Sequence, residues 1–135
     1  MSYQGKYQRT SAENYEELLK ALNVNYLLRK AATVSSPVLE VTGEGEEWSF
    51  KTSTAIKSME LKFKLGEEFD ETTPDGREVR ALVTKDGDKF ISVQTAKKEG
   101  EKSTKTVREF KGDEVIQTIE IVGGDLVCTQ VFKRV

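Results

Sequence analysis

The spacing of apolar residues changes once along this chain, and that change restricts the folds open to it. Before Pro37, apolar side chains recur at helical spacing, first over residues 15–22 and then over residues 26–34. After Pro37 they alternate with polar side chains in short runs that are separated by glycine and aspartate. We therefore expect two short helices, with Ser11 or Asn14 as the N-cap of the first, followed by a long series of strands.

The alternating part, together with a short strand at residues 7–10, contains about ten strand segments. Segments this short and charged would leave edges open to pairing with other chains, and closing the sheet removes those edges. We therefore predict an all-β fold, a ten-stranded antiparallel up-and-down barrel of two near-orthogonal sheets, capped by a helix-turn-helix lid at about residues 14–35. Residues 1–135 are expected to form one domain, since the chain is too short for two ordinary cores.

The composition excludes several classes of function. Hydrophobic residues make up 36% of the chain and charged residues 33%, which suits a barrel with a partly wet interior. The net charge of −2 gives no reason to expect a nucleic-acid partner, and the basic residues between Lys102 and Lys111 lie on a strand pattern, where a solvated face is favoured. The chain has no histidine, so we expect no metal site, no cofactor and no catalytic activity.

Cysteine usage and the N-terminal sequence indicate a compartment. Cys128 is the one cysteine, which excludes an internal disulfide and fits a reducing environment. The first residues contain no apolar segment typical of a signal peptide, and no apolar run approaches the length of a membrane span. A cytoplasmic protein is therefore expected.

Three stretches of sequence resemble one known family. They are Gly5-Lys6-Tyr7 with Asn14-Tyr15-Glu16-Glu17-Leu18-Leu19, then residues 63–71, and finally Cys128-Thr129-Gln130-Val131-Phe132-Lys133. In this order they are similar to the intracellular lipid-binding proteins, a calycin-type barrel family of fatty-acid-binding and cellular retinoid-binding proteins. Residues 108–114 are similar to invertebrate members. Arg9 departs from the pattern, because the family usually has an aliphatic residue there.

The resemblance implies a ligand headgroup site on the last three strands, at Arg108, Gln117, Gln130 and Phe132. Many fatty-acid and retinoic-acid binders use two arginines and a tyrosine, of which this chain keeps Arg108 and replaces the others with Gln130 and Phe132. Retinol binders place glutamine at both arginine positions and a lysine where this chain has Leu39. Alternation by itself leaves open whether Arg108 points inward or into a solvated basic run. If it points inward, a ligand carboxylate is its natural partner.

The resemblance also implies an entry portal beneath the helices and an apolar cavity wall. The implied cavity and portal residues are Leu28, Ala32, Leu39, Ile56, Lys57, Met59, Phe63, Asp75 and Arg77. Further candidate wall residues are Val41, Phe50, Leu61 and Val115. A basic rim of Arg29, Lys30 and Lys57 suggests transient contact with an anionic membrane surface or nuclear import, and the family leads us to expect a monomer.

Several functional hypotheses remain open at this stage. The first is a cytosolic, non-catalytic carrier of a long-chain fatty acid or retinoic acid, found also in the nucleus, with the ligand carboxylate near Arg108. An alternative is a retinol or retinal carrier with a neutral headgroup site at Gln130 and Gln117. A small hydrolase or isomerase lacks the necessary residues, whereas a barrel without a physiological ligand stays possible. The acidic pairs Glu67-Glu68 and Asp70-Glu71 are predicted to be solvated.

Overall fold

A computed structural model describes residues 3–55, 57–73 and 76–135, and the described chain forms ten strands and two helices. Their order follows the change in apolar spacing at Pro37, since both helices precede it and nine of the ten strands follow it. The elements are β1 (Gly5–Glu13), α1 (Tyr15–Ala21), α2 (Tyr26–Val34), β2 (Val38–Glu44), β3 (Glu47–Ser53), β4 (Ser58–Lys64), β5 (Phe69–Thr72), β6 (Glu78–Asp86), β7 (Lys89–Ala96), β8 (Thr104–Lys111), β9 (Glu114–Ile121) and β10 (Val127–Arg134).

The strands form one continuous antiparallel sheet that curls into a nearly closed barrel. Its order is β4-β3-β2-β1-β10-β9-β8-β7-β6-β5, so β1 pairs with both β2 and β10 and joins the two ends of the meander. Within the described residues no hydrogen-bonded ladder joins β4 to β5, although the stacked rings of Phe63 and Phe69 bridge them with centroids 6.1 Å apart. The predicted ten-stranded barrel with a helix-turn-helix is thereby confirmed.

The first strand and the helix caps differ in detail from the sequence prediction. β1 continues beyond residue 10 to Glu13, because a register shift between Arg9 and Ser11 lets it stay paired with β10. Asn14 occupies the N-cap position of α1 in a left-handed conformation, with φ of 60°, but its side chain donates to the carbonyl of Val127 instead of capping the helix. The second helix has a side-chain cap, since Asn25 accepts a hydrogen bond from the backbone N–H of Leu28.

One end of the barrel is filled by aromatic rings and the other lies beneath the helices. The rings of Tyr3, Tyr7, Trp48, Phe90 and Phe110 contact one another, mostly edge to face or tilted, with centroids 5.0–5.9 Å apart, and we call this the aromatic end. At the opposite, lid end, α1 packs against β10 and buries two leucines. The described helices are too short and too polar to cross a membrane.

Candidate functional site

Three polar side chains form a row across the inner face of β8, β9 and β10. Arg108 lies opposite Gln117, and Gln117 lies opposite Gln130, so neighbouring strands place them at the same height in the barrel. Side chains two apart on a strand face the same way, and Thr106 and Phe110, two residues either side of Arg108, are both buried. Arg108 therefore points inward, as the resemblance implied.

Hydrogen bonds connect the row in a fixed direction. Arg108 Nε donates to Gln117 Oε1 at 2.8 Å, and Gln117 Nε2 donates to Gln130 Oε1 at 3.0 Å. Because a guanidinium has only donors, Gln117 must turn its oxygen toward Arg108, and its amide nitrogen then faces Gln130. The Gln130 amide nitrogen lies at the end of this row, where it donates to the Cys128 thiol and has a second N–H.

The Arg108 guanidinium is a cation in the barrel interior without a fixed counter-ion. Within the described residues it forms no ion pair, and its one side-chain hydrogen bond uses Nε. The group lies over the ring of Phe50, 5.1 Å from the centroid. Burial lowers the pKa of Arg108 to about 10, and the negative charge of Glu71 acts in the opposite direction. Arg108 is half-buried as a residue, and burial is the main influence on its guanidinium.

Cys128 and Phe132 flank Gln130 on the inner face of β10, and both are buried. Burial raises the pKa of the Cys128 thiol to about 11, while a hydrogen bond from Gln130 acts to lower it. The thiol is therefore neutral at physiological pH and behaves as a small apolar group. Phe132 lies opposite Val115 on β9 and Arg9 on β1, so it contributes an apolar ring and no hydrogen-bonding group.

A second polar group lies on the inner face nearer the lid end. Gln94 Nε2 donates to both carboxylate oxygens of Glu71 at 3.1 Å, and Gln94 Oε1 accepts from the hydroxyls of Thr104 and Thr106 at 2.8 and 3.2 Å. The expectation that Glu71 is solvated was wrong. Its strand alternates from half-buried Phe69 and Glu71 to exposed Asp70 and Thr72, so Glu71 shares the inward side of Phe69. The alternation from Phe69 was the sequence signal that could have identified it.

Comparison with known proteins identifies the family. The sequence matches the lipocalin / cytosolic fatty-acid binding protein family over residues 4–135. The chain belongs to this family. A fatty acid-binding protein from Lepidoglyphus destructor is 42% identical over 131 residues, covering 96% of this chain and 95% of that protein. Cellular retinoic acid-binding protein 1 from Takifugu rubripes is 40% identical over 136 residues, covering 98% of each.

Solved structures of other proteins share the barrel. The apo Caenorhabditis elegans lipid binding protein 8 is 34% identical and superposes with a TM-score of 0.91. The match covers 98% of this chain and 95% of that one. A Schistosoma mansoni fatty acid binding protein in complex with arachidonic acid is 29% identical, with a TM-score of 0.89 and coverage of 98% and 96%. Relatives of this fatty-acid binding protein family therefore include proteins named for two kinds of lipid acid.

The residues implied as cavity and portal by the family resemblance fall in several environments. Leu39 and Phe63 are buried and belong to the hydrophobic core. Met59 is half-buried and lines a cleft of about 320 Å³ between β4 and β5, together with Leu61, Phe69 and Glu71. The cleft lies between two strands that no hydrogen-bonded ladder joins within the described residues.

The remaining portal candidates are also dispersed. Leu28 is exposed on α2 and Lys57 is exposed before β4. Arg77 is buried, and its guanidinium donates to the carbonyl of Lys102 at 2.7 Å, so it joins two loops. Ala32 is half-buried on α2. Ile56 and Asp75 lie outside the described residues.

Arg9 links the barrel to the helices, a role that the sequence did not reveal. Its Nη2 donates to the carbonyls of Ala32 and Ser35 at 3.0 and 2.7 Å, at the C-terminal end of α2. Its guanidinium also lies over the ring of Tyr15, 5.1 Å from the centroid. Unpaired carbonyls at a helix C-terminus attract cations, so the buried Arg9 side chain holds the end of α2 against the barrel wall.

Proposed function

We propose that this protein is a non-enzymatic carrier that binds a long-chain fatty acid or retinoic acid inside the barrel, with the ligand carboxylate on Arg108. The observation that carries the proposal is the interior guanidinium without an ion-pair partner in the described part of the chain. Leaving a cation in that position is costly, and a carboxylate would neutralise it. Membership of the family and the names of the relatives support a lipid acid as the ligand.

The hydrogen-bonding groups of the row match a single carboxylate. Arg108 uses Nε for Gln117, which leaves the terminal nitrogens for two charge-assisted hydrogen bonds to the ligand. The amide nitrogen of Gln130 is a further neutral donor at the same height in the barrel. With Gln130 in place of a second arginine, one positive charge meets one negative charge, and the complex is electrically balanced.

The apolar part of the ligand would lie against the opposite wall. Val41, Phe50, Leu61 and Met59 on β2, β3 and β4 provide that surface. Each buried methylene contributes roughly 0.8 kcal/mol, so a long acyl chain gains on the order of 10 kcal/mol before ordering and desolvation costs. Affinity would therefore come mainly from the chain, and selectivity for an acid from Arg108.

A retinol or retinal carrier is the second candidate, and the Gln117–Gln130 pair is the observation in its favour. Two amides offer neutral donors and acceptors to an alcohol or aldehyde, and Phe132 adds no charge. An alcohol would leave the Arg108 charge uncompensated, which is why we favour the acid.

Competition binding separates these candidates. Delipidated protein is loaded with a fluorescent fatty-acid probe, which is displaced by oleate, all-trans retinoic acid or retinol. The Arg108→Gln variant is compared with Lys105→Gln, which removes a lysine from an outward position of the same strand. We expect the acids to bind best and to lose tenfold or more, about 1.4 kcal/mol, in Arg108→Gln alone. Equal binding of retinol and no effect of Arg108→Gln would refute the proposal.

We further propose that the carrier works in the cytoplasm, and also enters the nucleus, as a monomeric single domain that touches membranes through α2. Tyr26, Leu27 and Leu28 are 60%, 78% and 57% exposed. Arg29 and Lys30 lie near Glu16, with Lys30 Nζ at 2.9 Å from its carboxylate, so their charge is partly neutralised. Membrane contact should therefore depend more on the apolar residues than on charge.

Vesicle co-sedimentation tests this contact. Neutral vesicles and vesicles containing phosphatidylserine are compared at low and high salt, with Leu27→Gln as the variant and Val135→Gln, an exposed valine that follows β10 at the aromatic end, as the control. We expect Leu27→Gln to lose most of the binding and high salt to remove little. Binding that disappears with salt and is unaffected by Leu27→Gln would contradict the proposal.

A further inference from the structure

The second helix is attached to the rest of the molecule by polar contacts and not by burial. None of the residues of α2 is buried, and Tyr26, Leu27 and Val34 are 60%, 78% and 82% exposed. Its most extensive packing is against α1. An element with few buried apolar contacts opens at a small cost in free energy, so the polar contacts decide how firmly α2 is held.

The N-terminal end of α2 follows a turn that is fixed to α1. Val24 in this turn is buried, and its backbone N–H donates to the carbonyl of Leu19, one of the two buried leucines of α1. An ion pair between Lys30 and Glu16 also joins the helices, but it lies at the surface, where such pairs contribute little to stability. The turn at residues 22–25 is therefore the natural hinge for a movement of α2.

The C-terminal end of α2 is bonded to the barrel by one side chain. Arg9 of β1 donates from Nη2 to the carbonyls of Ala32 and Ser35, and its guanidinium lies over the ring of Tyr15. In the described part of the chain, no other strand side chain forms a hydrogen bond with α2 or its C-cap residue. Arg9 is 8% exposed, so water competes little for these bonds and they are stronger than bonds at the surface.

The two ends of the barrel differ in how they could admit a ligand. The aromatic end is filled by rings that contact one another, whereas the lid end is covered by a helix with no buried residue. Movement of α2 therefore opens a passage with the least loss of packing. With the turn at residues 22–25 as the hinge, the C-terminal end of α2 must leave the barrel, which breaks both hydrogen bonds from Arg9.

We propose that Arg9 is a clasp on this lid, which sets the rate at which the ligand enters and leaves the barrel without setting its affinity. The proposal rests on the carrier function given under Proposed function. Arg9 bonds backbone carbonyls at the end of α2, so it restrains the closed lid equally with and without ligand. Such a restraint changes both rates by the same factor and cancels from the Kd. The family usually has an aliphatic residue at this position, so typical members lack the clasp.

Exchange kinetics of a fluorescent fatty-acid probe test the clasp. Association is followed by stopped-flow mixing with delipidated protein, and dissociation by adding excess oleate to the loaded protein. The variant is Arg9→Met. The matched control is Arg134→Met, because Arg134 also joins separate segments through several hydrogen bonds, but at the aromatic end. We expect Arg9→Met to raise both rate constants about tenfold and to change the Kd by less than about twofold. Arg134→Met should lower stability in urea and leave both rate constants within about twofold of wild type.

A second variant keeps the test valid if Arg9→Met does not fold. Tyr15→Leu removes the ring beneath the guanidinium and leaves both hydrogen-bond acceptors of Arg9 in place. It should raise both rate constants about two- to fivefold.

The opposite outcomes are equally clear. Unchanged rates in these variants would overturn the clasp and show that the ligand passes elsewhere. A faster dissociation with an unchanged association rate, and so a weaker Kd, would also overturn it, because Arg9 would then support the bound ligand and not the lid. If the wild-type protein binds neither the probe nor oleate, the carrier function itself has failed, and the clasp with it.

Discussion

Replacing Arg108 with glutamine should make the ligand-free protein more stable and should reduce the further stabilisation that a bound fatty acid provides. In the fold, the guanidinium has left bulk water for one hydrogen bond to Gln117 and one contact with the Phe50 ring. In the described chain no anion pairs with it. A neutral amide in the same place removes the uncompensated charge and can still donate to Gln117.

The magnitude follows from the pKa. Burial lowers the pKa of Arg108 from its ordinary value to about 10, and a lowering of this size corresponds to about 3 kcal/mol of penalty on the charged form. Loss of the Phe50 contact and weakening of the Gln117 bond offset about 1–2 kcal/mol of the gain. We expect Arg108→Gln to raise the free energy of unfolding of the delipidated protein by about 1–2 kcal/mol at neutral pH.

The pH dependence of this difference has a definite sign. The folded-state pKa of Arg108 lies below the unfolded-state value, so above about pH 10 the unfolded chain retains a proton that the folded chain loses. The penalty is fully present below about pH 10 and is relieved as the pH rises above it. The stability difference between wild type and variant should therefore be constant across the neutral range.

Urea denaturation of delipidated protein measures the effect. The midpoint for Arg108→Gln should rise with an unchanged slope, whereas Lys105→Gln, on the outward face of β8, should move it little. Adding oleate should remove most of this difference, because a ligand at one hundred times its Kd stabilises the wild-type protein by about 2.7 kcal/mol and a variant that binds tenfold more weakly by about 1.4 kcal/mol. If Arg108→Gln destabilises the ligand-free protein instead, the guanidinium is satisfied without ligand and the reasoning fails.

Three further predictions concern residues outside the Arg108 position. Arg9→Met should speed hydrogen exchange of α2 and lower the free energy of unfolding by about 1–3 kcal/mol, because two hydrogen bonds to Ala32 and Ser35 are lost. Unchanged exchange would show that Arg9 does not hold the helix. Gly43→Ala should cost about 2 kcal/mol or more in urea denaturation, since φ is 136° and a Cβ would meet the backbone of Trp48 at 2.7 Å. Cys128 has a pKa near 11, so iodoacetamide should modify it slowly at neutral pH until the protein unfolds, as mass spectrometry would report.

The fold could be predicted from the sequence because one rule, alternation, operates along nearly the whole chain. In β3, for example, Trp48 and Phe50 are buried and their neighbours are more exposed, as the alternation requires. The length of the first strand was underestimated. Its continuation past Arg9 depends on a register shift in the pairing with β10, at the other end of the sequence. No local pattern contains that information.

The interior row was harder to predict than the strands. Gln117 and Gln130 lie among apolar residues on one strand face, but Arg108 lies in a charged stretch with Lys105 and Glu109, so alternation left its direction open. Glu71 was misjudged for a similar reason, because Asp70 beside it is truly solvated and ion-paired with Arg80 and Lys97. In both cases the deciding facts are cross-strand neighbours, which the chain brings together only after the barrel has formed.

The two walls of the interior differ in chemistry, and the difference argues for a ligand of defined orientation. Strands β2 to β4 present Leu39, Val41 and Phe50 on their inner face, whereas β7 to β10 add hydroxyls, amides and a guanidinium to their buried apolar residues Phe90, Phe110, Val115 and Phe132. A core that served stability alone would gain from apolar replacements on the second wall, because buried charge without a partner lowers stability. A ligand with a carboxylate at the height of Arg108 and an apolar chain against β2 to β4 removes that cost, and it can do so in one orientation only, with its tail toward the lid end.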